Sequence, residues 1–173
     1  DKETIEHLVN HDPLTGLPSL RLGKDRLEQA ILSAQRHNLS AAIMFIDLDG
    51  FKYINDEFGH AAGDNVLIKV GRRIVRELRQ TDTVARIGGD EFIVIMTNIK
   101  EDEAISQVAM KIINSVNKAI HYQGTQLHVT ASIGIAKYPL HGTTSAELMK
   151  NADQAMYTIK ETGKNNFALF SDS

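Results

Sequence analysis

Four carboxylates stand beside strand-like segments at two distant places in the chain. Asp47 and Asp49 close an apolar run, and Asp90 and Glu91 follow a pair of glycines in the stretch RIGGDEFIVI. If the fold brings them together, their mutual repulsion and desolvation are costly. A hard divalent cation offsets this cost, because Mg²⁺ takes one or two carboxylates and completes its shell with water and phosphate oxygens. The residue types therefore favour metal-assisted nucleotidyl transfer, in which the metal polarises the α-phosphate and helps to ionise an attacking hydroxyl.

The pattern of apolar residues predicts elements that bring these acids together. Residues 41–46 are apolar on both faces, which is typical of a central strand. A helix is predicted over 63–80, and a pair of strands joined by a glycine turn over 83–97. A second helix is predicted over 101–120 and an alternating strand over 125–138. The order β-α-β-β-α-β predicts an α+β fold, a ferredoxin-like palm with an antiparallel sheet. In this sheet the first strand lies beside the hairpin, so the two pairs of acids meet at one edge.

Both ends of the chain add elements outside this core. Residues 1–11 carry apolar residues at helical spacing and predict the C-terminal end of an upstream signalling or stalk helix. Thr144 and Glu147, in capping-box spacing, begin an extra C-terminal helix, and residues 165–170 predict a closing strand. The chain begins at Asp1 without methionine, so we expect a piece of a longer protein in which residues 12–173 form the domain.

The segment between the two acidic positions carries groups that suit a purine nucleotide. Lys52 lies three residues past Asp49, where its ammonium could approach a phosphate. Asn55, His60 and Asp64 follow near the start of the next helix. A carboxylate there could accept both the N1–H and the N2 amino group of guanine, a pair of donors that adenine lacks. Asp64 could equally be the N-cap of that helix, and His60 a surface histidine.

Composition narrows the class of protein. The chain has 173 residues, a length typical of one domain, and a net charge of −3, so no basic surface for nucleic acid or anionic lipid is expected. The absence of cysteine excludes disulfides and thiolate metal sites and fits a reducing compartment. No apolar run approaches the roughly 18 residues of a membrane span, so we expect no direct contact with a membrane.

Four motifs, in this order, resemble the GGDEF domain of the diguanylate cyclases. They are DPLTGLP, FIDLDGFKYINDEFGHAAGDN, RIGGDEF and ADQAMYTIKETGKN, and the similarity runs from about Asp12 to Phe170. The resemblance implies a nucleotidyl cyclase-like enzyme that condenses two GTP into cyclic di-GMP and releases two pyrophosphates. It also implies Mg²⁺, with Mn²⁺ as the alternative, as the metal cofactor. One alternative stays open, a catalytically silent module of the same fold that binds GTP or cyclic di-GMP as a sensor.

The resemblance assigns roles residue by residue. Asp47, the Leu48 carbonyl, Asp90 and Glu91 resemble the metal ligands, and Glu91 also resembles the acid that assists the attacking 3′-hydroxyl. Lys52 completes the catalytic set with Asp90 and Glu91, because its charge would stabilise phosphate in the transition state. Guanine, ribose and the terminal phosphates would be held by Asn55, His60, Asp64, Lys160 and Lys164.

Three further positions carry expectations. Lys164 stands where many members of the family carry arginine. Lysine keeps the charge at this position but lacks the bidentate fork of arginine. We expect Asp49 and Asp56 to be solvated or capping residues outside the site.

The stretch RQTD places Arg79 and Asp82 shortly before the glycine pair and resembles the RxxD inhibitory site at which the family binds its product. Arginine can grip a phosphate or the Hoogsteen edge of guanine, and aspartate can accept from its Watson–Crick donors. We therefore expect allosteric inhibition by cyclic di-GMP. Both residues also suit a helix end and a turn, so a purely structural role stays open.

A product joined symmetrically from two nucleotides requires two active sites to face each other. We therefore expect a two-fold homodimer as the active form. The expected partners are GTP, cyclic di-GMP, a second copy of the domain and an upstream sensory domain, with no nucleic acid. We expect a cytoplasmic location, or the cytoplasmic part of a larger membrane-anchored bacterial signalling protein.

Overall fold

The computed structural model describes residues 1–171. The helices are α1 (Lys2–Asn10), α2 (Leu20–His37), α3 (Phe51–Phe58), α4 (His60–Arg76), α5 (Glu103–Val116) and α6 (Ser145–Thr162). The strands are β1 (Ser40–Asp49), β2 (Thr83–Gly88), β3 (Glu91–Ile99), β4 (Ile120–Tyr122), β5 (Thr125–Leu127), β6 (Thr130–Tyr138) and β7 (Asn166–Leu169). None of the helices in this part of the chain is both long and apolar enough to cross a bilayer.

A five-stranded sheet in the order β2-β3-β1-β6-β7 forms the centre of the domain. Neighbouring strands are antiparallel except β6 and β7, which are parallel. Without β7 this is the strand order of a ferredoxin-like βαββαβ palm, so the predicted α+β fold class is confirmed. The predicted C-terminal helix and strand are α6 and β7. The run from 41 to 46 in β1 is buried throughout, as expected of a central strand.

Helices cover both faces of the sheet. On one face, Met44 and Ile46 of β1 belong to a core shared with α4 and α5. On the other face, Ile43 and Phe45 belong to a core shared with α2 and α6. Since side chains alternate along a strand, the odd-numbered acids at the end of β1 lie on the α6 side. The fold therefore places the predicted site between the edge of β1 and the C-terminal end of α6.

The segment after β1 differs from the prediction. Residues 51–58 form α3, which the sequence did not predict, and the helix predicted from Gly63 already begins at His60. Gly50, with φ of 83°, turns the chain directly from β1 into α3. Because α3 has only eight residues and buries only Phe51 and Ile54, it is too short to give a periodic signal.

The predicted strand over 125–138 is divided into β5 and β6, and the helix predicted over 101–120 ends at Val116. The residues after it form β4, which pairs with β5 in a separate hairpin. Its turn residues Gln123 and Gly124 have φ of 46° and 78°, as a two-residue type I′ turn requires. The alternation of apolar residues continues from Leu127 to Val129, and this concealed the break between the two strands.

Candidate active site

The two pairs of acids meet where β1 ends. Asp47 lies opposite Glu91 of β3 on one side and opposite Ser132 of β6 on the other. The backbone N–H of Leu48 donates to the carbonyl of Asp90 at 3.2 Å, which joins the turn before β3 to the end of β1. The structure thus brings together Asp47, Leu48, Asp90 and Glu91, the residues for which the sequence predicts a metal site.

The turn that carries Asp90 is held by a neighbouring arginine. Gly88 and Gly89 have φ of 140° and 51° and accommodate a register shift between β2 and β3. Arg86 donates to the Gly89 carbonyl through Nε and Nη2, at 3.1 and 2.9 Å. The same guanidinium pairs with Asp12, in the DPLTGLP segment, at 2.7 Å. The acidic turn is therefore fixed to the segment that follows α1.

Burial and like charge raise the pKa of two of these acids. The pKa of Asp47 rises from its ordinary 3.8 to about 7, first because of burial and then because Asp90 and Glu91 lie close. Burial, followed by the charges of Asp153 and Asp90, also raises the pKa of Glu91. Lys160 opposes both pKa shifts without cancelling them. A cluster that resists ionisation in this way is one that a divalent cation would stabilise.

Asp47 should therefore destabilise the metal-free protein at alkaline pH. Because its folded-state pKa is raised, its contribution to stability is full below pH 3.8 and is lost as the pH rises through about 7. At pH 8 the free energy of unfolding of Asp47→Asn should be higher than that of the parent chain by about 1–2 kcal/mol, a value that is discounted for solvent screening. Near pH 4 the two proteins should unfold alike.

Urea unfolding in the presence of a chelator, between pH 4 and pH 8, measures this difference. Asp56→Asn, at an exposed aspartate of α3, is the matched control. Addition of Mg²⁺ at pH 8 should stabilise the parent chain more than Asp47→Asn, because a ligand that binds only the folded state raises its stability. A metal-free parent chain more stable than Asp47→Asn at pH 8 would contradict these electrostatics.

Lys160 of α6 reaches into this cluster. Its ammonium lies 2.7 Å from Asp49 Oδ1 and 3.5 Å from both Asp47 Oδ1 and the Leu48 carbonyl oxygen. A protein cation therefore stands in front of two of the predicted metal-ligand atoms. Lys164, which the sequence predicts to act with Lys160, is exposed in the turn after α6.

The environment of the Asp49 side chain differs from the prediction. A solvated or capping side chain was expected, but Asp49 is buried, with 7% of its surface exposed. Its carboxylate accepts hydrogen bonds from Thr130, Ser132, Lys160 and the backbone N–H of Asn165. Burial disfavours the charge of Asp49, yet these donors outweigh burial and lower its pKa. The one sequence signal for this role was its place on the same strand face as Asp47.

The oxygen atoms in front of Lys160 fit a hard divalent cation. Asp47 Oδ1 is buried and accepts no hydrogen bond from the part of the chain that the structure describes. The Leu48 carbonyl contacts the same ammonium. Within residues 1–171, no three His, Asp or Glu side chains are arranged to hold a metal ion. The protein would thus supply a carboxylate or two and a carbonyl, as Mg²⁺ accepts when water and phosphates complete its shell.

The residues predicted to hold guanine and ribose lie on α3 and α4, directly after β1, together with Lys52. Lys52 is exposed on α3, and His60 and Asp64 are exposed in the first turns of α4. Asn55 is half-buried, and any side chain at Gly63 would overlap its amide oxygen. Because α4 begins at His60, Asp64 lies within the helix, and the alternative that it is the N-cap is wrong. Asp64 is instead an exposed residue of the first turns of α4.

Arg79 and Asp82 lie between α4 and β2 and are paired with each other. The Asp82 side chain is 1% exposed and accepts from the backbone N–H groups of Arg79 and Thr97, at 3.1 and 3.3 Å. The half-exposed Arg79 guanidinium lies 3.1 Å from Asp82 Oδ1 and lines a cavity of about 440 Å³ together with Arg26 and Gln80. Asp82 thus has a structural role in this turn, whereas Arg79 is accessible to a ligand.

A ferredoxin-like palm with an acidic sheet edge belongs to the class of nucleotidyl cyclase-like domains. Within this class, the family model described as diguanylate cyclase, GGDEF domain, matches residues 9–166. The chain therefore belongs to the GGDEF domain family, and the resemblance that the four motifs indicated is confirmed.

Three relatives illustrate the similarity. MucR of Pseudomonas aeruginosa, named a bifunctional diguanylate cyclase/cyclic di-GMP phosphodiesterase, is 44% identical over 100% of this chain and 25% of MucR. The solved GGDEF domain of TpbB (YfiN) from P. aeruginosa has a TM-score of 0.91 and 41% identity, over 93% of this chain and 94% of that one. The coiled coil and GGDEF domain of DgcB from Caulobacter crescentus, solved with c-di-GMP, has a TM-score of 0.87 and 26% identity, over 97% and 89%. The chain thus spans about a quarter of the length of MucR.

Proposed function

We propose that this chain is a diguanylate cyclase domain, which condenses two GTP into cyclic di-GMP and releases two pyrophosphates. The observation that carries the proposal is the convergence of Asp47, Asp90 and Glu91 at the end of β1, beside the Leu48 carbonyl. Membership of the GGDEF family supports it, as does 40% identity to TpbB, which is named a diguanylate cyclase. A silent sensor module would have no need of both acids in the turn.

The acidic edge would bind the metal and prepare the nucleophile. The Leu48 carbonyl and one or two carboxylates from Asp47, Asp90 and Glu91 would hold Mg²⁺ or Mn²⁺. Bound there, the metal would neutralise phosphate charge and lower the pKa of the attacking 3′-hydroxyl. Glu91 would take the hydroxyl proton, because it lies opposite Asp47 at the same edge of the sheet. Lys52 would stabilise the charge on the α-phosphate in the transition state.

Each of the two condensation steps is a displacement at phosphorus. The 3′-oxygen of one nucleotide forms a bond to the α-phosphorus of the other, while the bond from that phosphorus to the bridging β-phosphate oxygen breaks. The electron pair leaves with pyrophosphate, whose charge Lys160 and Lys164 would neutralise. Repetition of the step at the second nucleotide closes the ring.

Residues of α3 and α4 would select guanine. Asp64 would accept from N1–H and the N2 amino group, and Asn55 and His60 would complete the contacts to base and ribose. The overlap that any Cβ at Gly63 would have with the Asn55 amide supports this placement, since it shows how closely the two helices approach. Adenine would leave the Asp64 carboxylate without donors, so ATP should be a poor substrate.

The reaction would require two chains, because each chain has one acidic edge and the product is symmetric.

The surface of α1 supports a regulatory role for residues 1–11. It has no buried residue and exposes Ile5, Leu8 and Val9 at helical spacing. We infer that this helix continues from an upstream sensory domain and sets whether two GGDEF domains meet. We place the reaction in the cytoplasm, where GTP is available.

A product assay tests the proposed function. The chain is incubated with GTP and Mg²⁺ at several protein concentrations, and the products are separated by mass, with ATP as the control substrate. We expect cyclic di-GMP, formed at a rate that rises faster than linearly with protein concentration because two chains must associate. Tight binding of GTP or cyclic di-GMP without product at any concentration would make the chain a sensor module instead.

Arg79→Ala should weaken inhibition by cyclic di-GMP. Arg79 lines the cavity, and its half-exposed guanidinium is held there by Asp82 and the Thr97 carbonyl, where a phosphate or a guanine edge could contact it. Loss of a charged hydrogen bond of this kind should raise the inhibition constant by about ten- to hundredfold. Initial rates measured against added cyclic di-GMP give this constant.

The matched control for this prediction is Arg76→Ala, which removes an exposed arginine from the end of α4, three residues before Arg79. Its inhibition curve should stay close to that of the parent chain. An unaltered inhibition curve for Arg79→Ala would contradict the prediction. The RQTD stretch would then have only a structural role, as the buried Asp82 already has.

A further inference from the structure

Asp49 joins three parts of the site that are distant in sequence. Its Oδ1 accepts hydrogen bonds from Ser132 Oγ and Lys160 Nζ, both at 2.7 Å. Its Oδ2 accepts from Thr130 Oγ1 at 2.7 Å and from the backbone N–H of Asn165 at 3.1 Å. These partners come from β6, from α6 and from the turn that follows α6. A carboxylate has about four lone-pair sites, so this set of donors leaves no site for a metal or a substrate.

The same carboxylate fixes the ammonium of Lys160. Its distance of 2.7 Å to Asp49 is that of a strong charge-assisted hydrogen bond, whereas 3.5 Å to Asp47 Oδ1 and to the Leu48 carbonyl is long for one. One N–H of the ammonium is therefore engaged with Asp49, and the others face the acidic edge with only weak partners. Without Asp49 the flexible lysine stem would have no strong anchor.

The turn that carries Lys164 is held at the same point. Lys164 and Asn165 have φ of 62° and 50°, in the left-handed region that side chains other than glycine rarely adopt. Two backbone N–H groups secure the turn: Lys164 N–H donates to the Ile159 carbonyl at 2.9 Å, and Asn165 N–H donates to the Asp49 carboxylate. The second of these bonds ties Lys164 to the end of β1.

We propose that Asp49 is a positioning residue that sets both lysines at the acidic edge, Lys160 through the ion pair and Lys164 through the Asn165 amide. The role of the two lysines as phosphate ligands rests on the proposed function, whereas their positions do not. Asp49 acts only through the lysines, because its own lone pairs are already occupied. Its removal should therefore weaken phosphate binding in a way that depends on Lys160 and Lys164.

Nitrogen-15 NMR of the lysine ammonium groups tests the positioning. An ammonium held in a buried ion pair exchanges its protons slowly enough to be observed at neutral pH, and Lys160→Met identifies the signal. We expect the signal in the parent chain, its loss in Asp49→Asn and its retention in Thr130→Val. The valine variant is the matched control, since it removes one hydrogen bond to the same carboxylate but leaves the ion pair. Absence of the signal in the parent chain, or survival in Asp49→Asn, would overturn the proposal.

A second variant decides the question if Asp49→Asn does not fold. Thr130→Val/Ser132→Ala leaves Asp49 with Lys160 and the Asn165 amide alone. Retention of the Lys160 signal would support an ion pair that positions the lysine by itself. Loss of the signal would show that the ion pair with Asp49 does not position the lysine by itself, which would overturn the proposal.

Binding of inorganic tripolyphosphate in the presence of Mg²⁺ gives the functional readout. Asp49→Asn should weaken this binding by about tenfold or more in the parent chain. In the Lys160→Met/Lys164→Met background the same substitution should change it by less than about twofold, because the groups it positions are gone. Equal losses in both backgrounds would show that Asp49 does not act through the lysines.

Neither readout requires turnover. A failure of the positioning role of Asp49 can therefore be distinguished from a failure of the proposed cyclase function. A chain that forms no cyclic di-GMP but loses the Lys160 signal in Asp49→Asn would refute the proposed function alone. A chain that forms cyclic di-GMP and keeps the signal in that variant would refute the positioning role alone.

Discussion

Asp90→Asn or Glu91→Gln should reduce the formation of cyclic di-GMP by at least about 10³-fold, because each removes a proposed metal ligand and Glu91 is also the proposed base. Both residues lie beside Asp47 at the end of β1. Their charges raise the pKa of Asp47, which shows how strongly the three carboxylates interact. The loss should therefore appear in turnover and in metal affinity together.

The fold should survive these substitutions. Asp90 holds β1 through its backbone carbonyl, which accepts from Leu48 N–H, and an amide side chain leaves this bond in place. The turn itself is held by Arg86 and by the two glycines with positive φ. Removal of one negative charge also relieves repulsion within the cluster. The free energy of unfolding should stay constant or rise slightly in the absence of metal.

Mass-resolved product assays and calorimetric titration with Mn²⁺ measure the two losses. Asp153→Asn is the matched control, because Asp153 is an exposed acid of α6 that also raises the pKa of Glu91 but is not a proposed ligand. It should keep a rate within about threefold of the parent chain, as expected for an exposed charge. Near-parental product formation by Asp90→Asn would refute the assignment of the acidic edge as the metal site.

Much of this site could be predicted because its signals are local in the sequence. The apolar run before Asp47 predicts a buried central strand, and the glycine pair before Asp90 predicts a hairpin turn. The βαββαβ order then places these two features side by side, and the register of Asp47 with Glu91 agrees with it. The roles of the individual residues came from the family resemblance, and they stay predictions.

The role of Asp49 could not be predicted, because its partners come together only after α6 has folded onto β6. Strand periodicity gives no information about which helix covers a strand, and the alternation in β6 predicted a single apolar face. In the structure residues 131–136 are buried on both faces. The face beneath α6 is formed by Ser132, Gly134 and Ala136, whose small size reflects the closeness of the helix. A hydropathy pattern does not distinguish such a face from one that is exposed to solvent.

Gly134→Ala should lower the free energy of unfolding by about 3 kcal/mol or more, at or beyond the upper end of typical overpacking costs. A Cβ at this position would overlap backbone atoms of Ala152 and Met156 and lie 2.8 Å from the carbonyl carbon of Ala155. Backbone atoms cannot rotate away as a side chain can, so α6 must move as a whole. For a chain of this size the melting temperature should fall by about 6–12 °C.

Gly71→Ala is the matched control for this substitution. A Cβ there would meet Leu17 Cδ1 at 2.9 Å, the tip of a flexible side chain, and its other neighbours lie at 3.7 Å or more. Alanine is also favoured over glycine within a helix by about 1 kcal/mol, which offsets the crowding. Gly71→Ala should therefore be nearly neutral. Equal losses of stability at the two positions would show that the close approach of α6 is not the reason for glycine at 134.

The same variant separates displacement of α6 from local relaxation. α6 carries Lys160, whose ammonium lies 2.7 Å from Asp49, so a shift of the whole helix would break the contact that orients it. Gly134→Ala should then lose turnover even at temperatures far below its melting point, where nearly every molecule is folded. If the helix instead yields only around residue 155, stability should fall while the folded protein keeps the parental rate of product formation. The rate per folded molecule, measured at 20 °C below the melting temperature, distinguishes these outcomes. We expect displacement of the whole of α6 and loss of turnover, because a rigid helix transmits a backbone clash along its length.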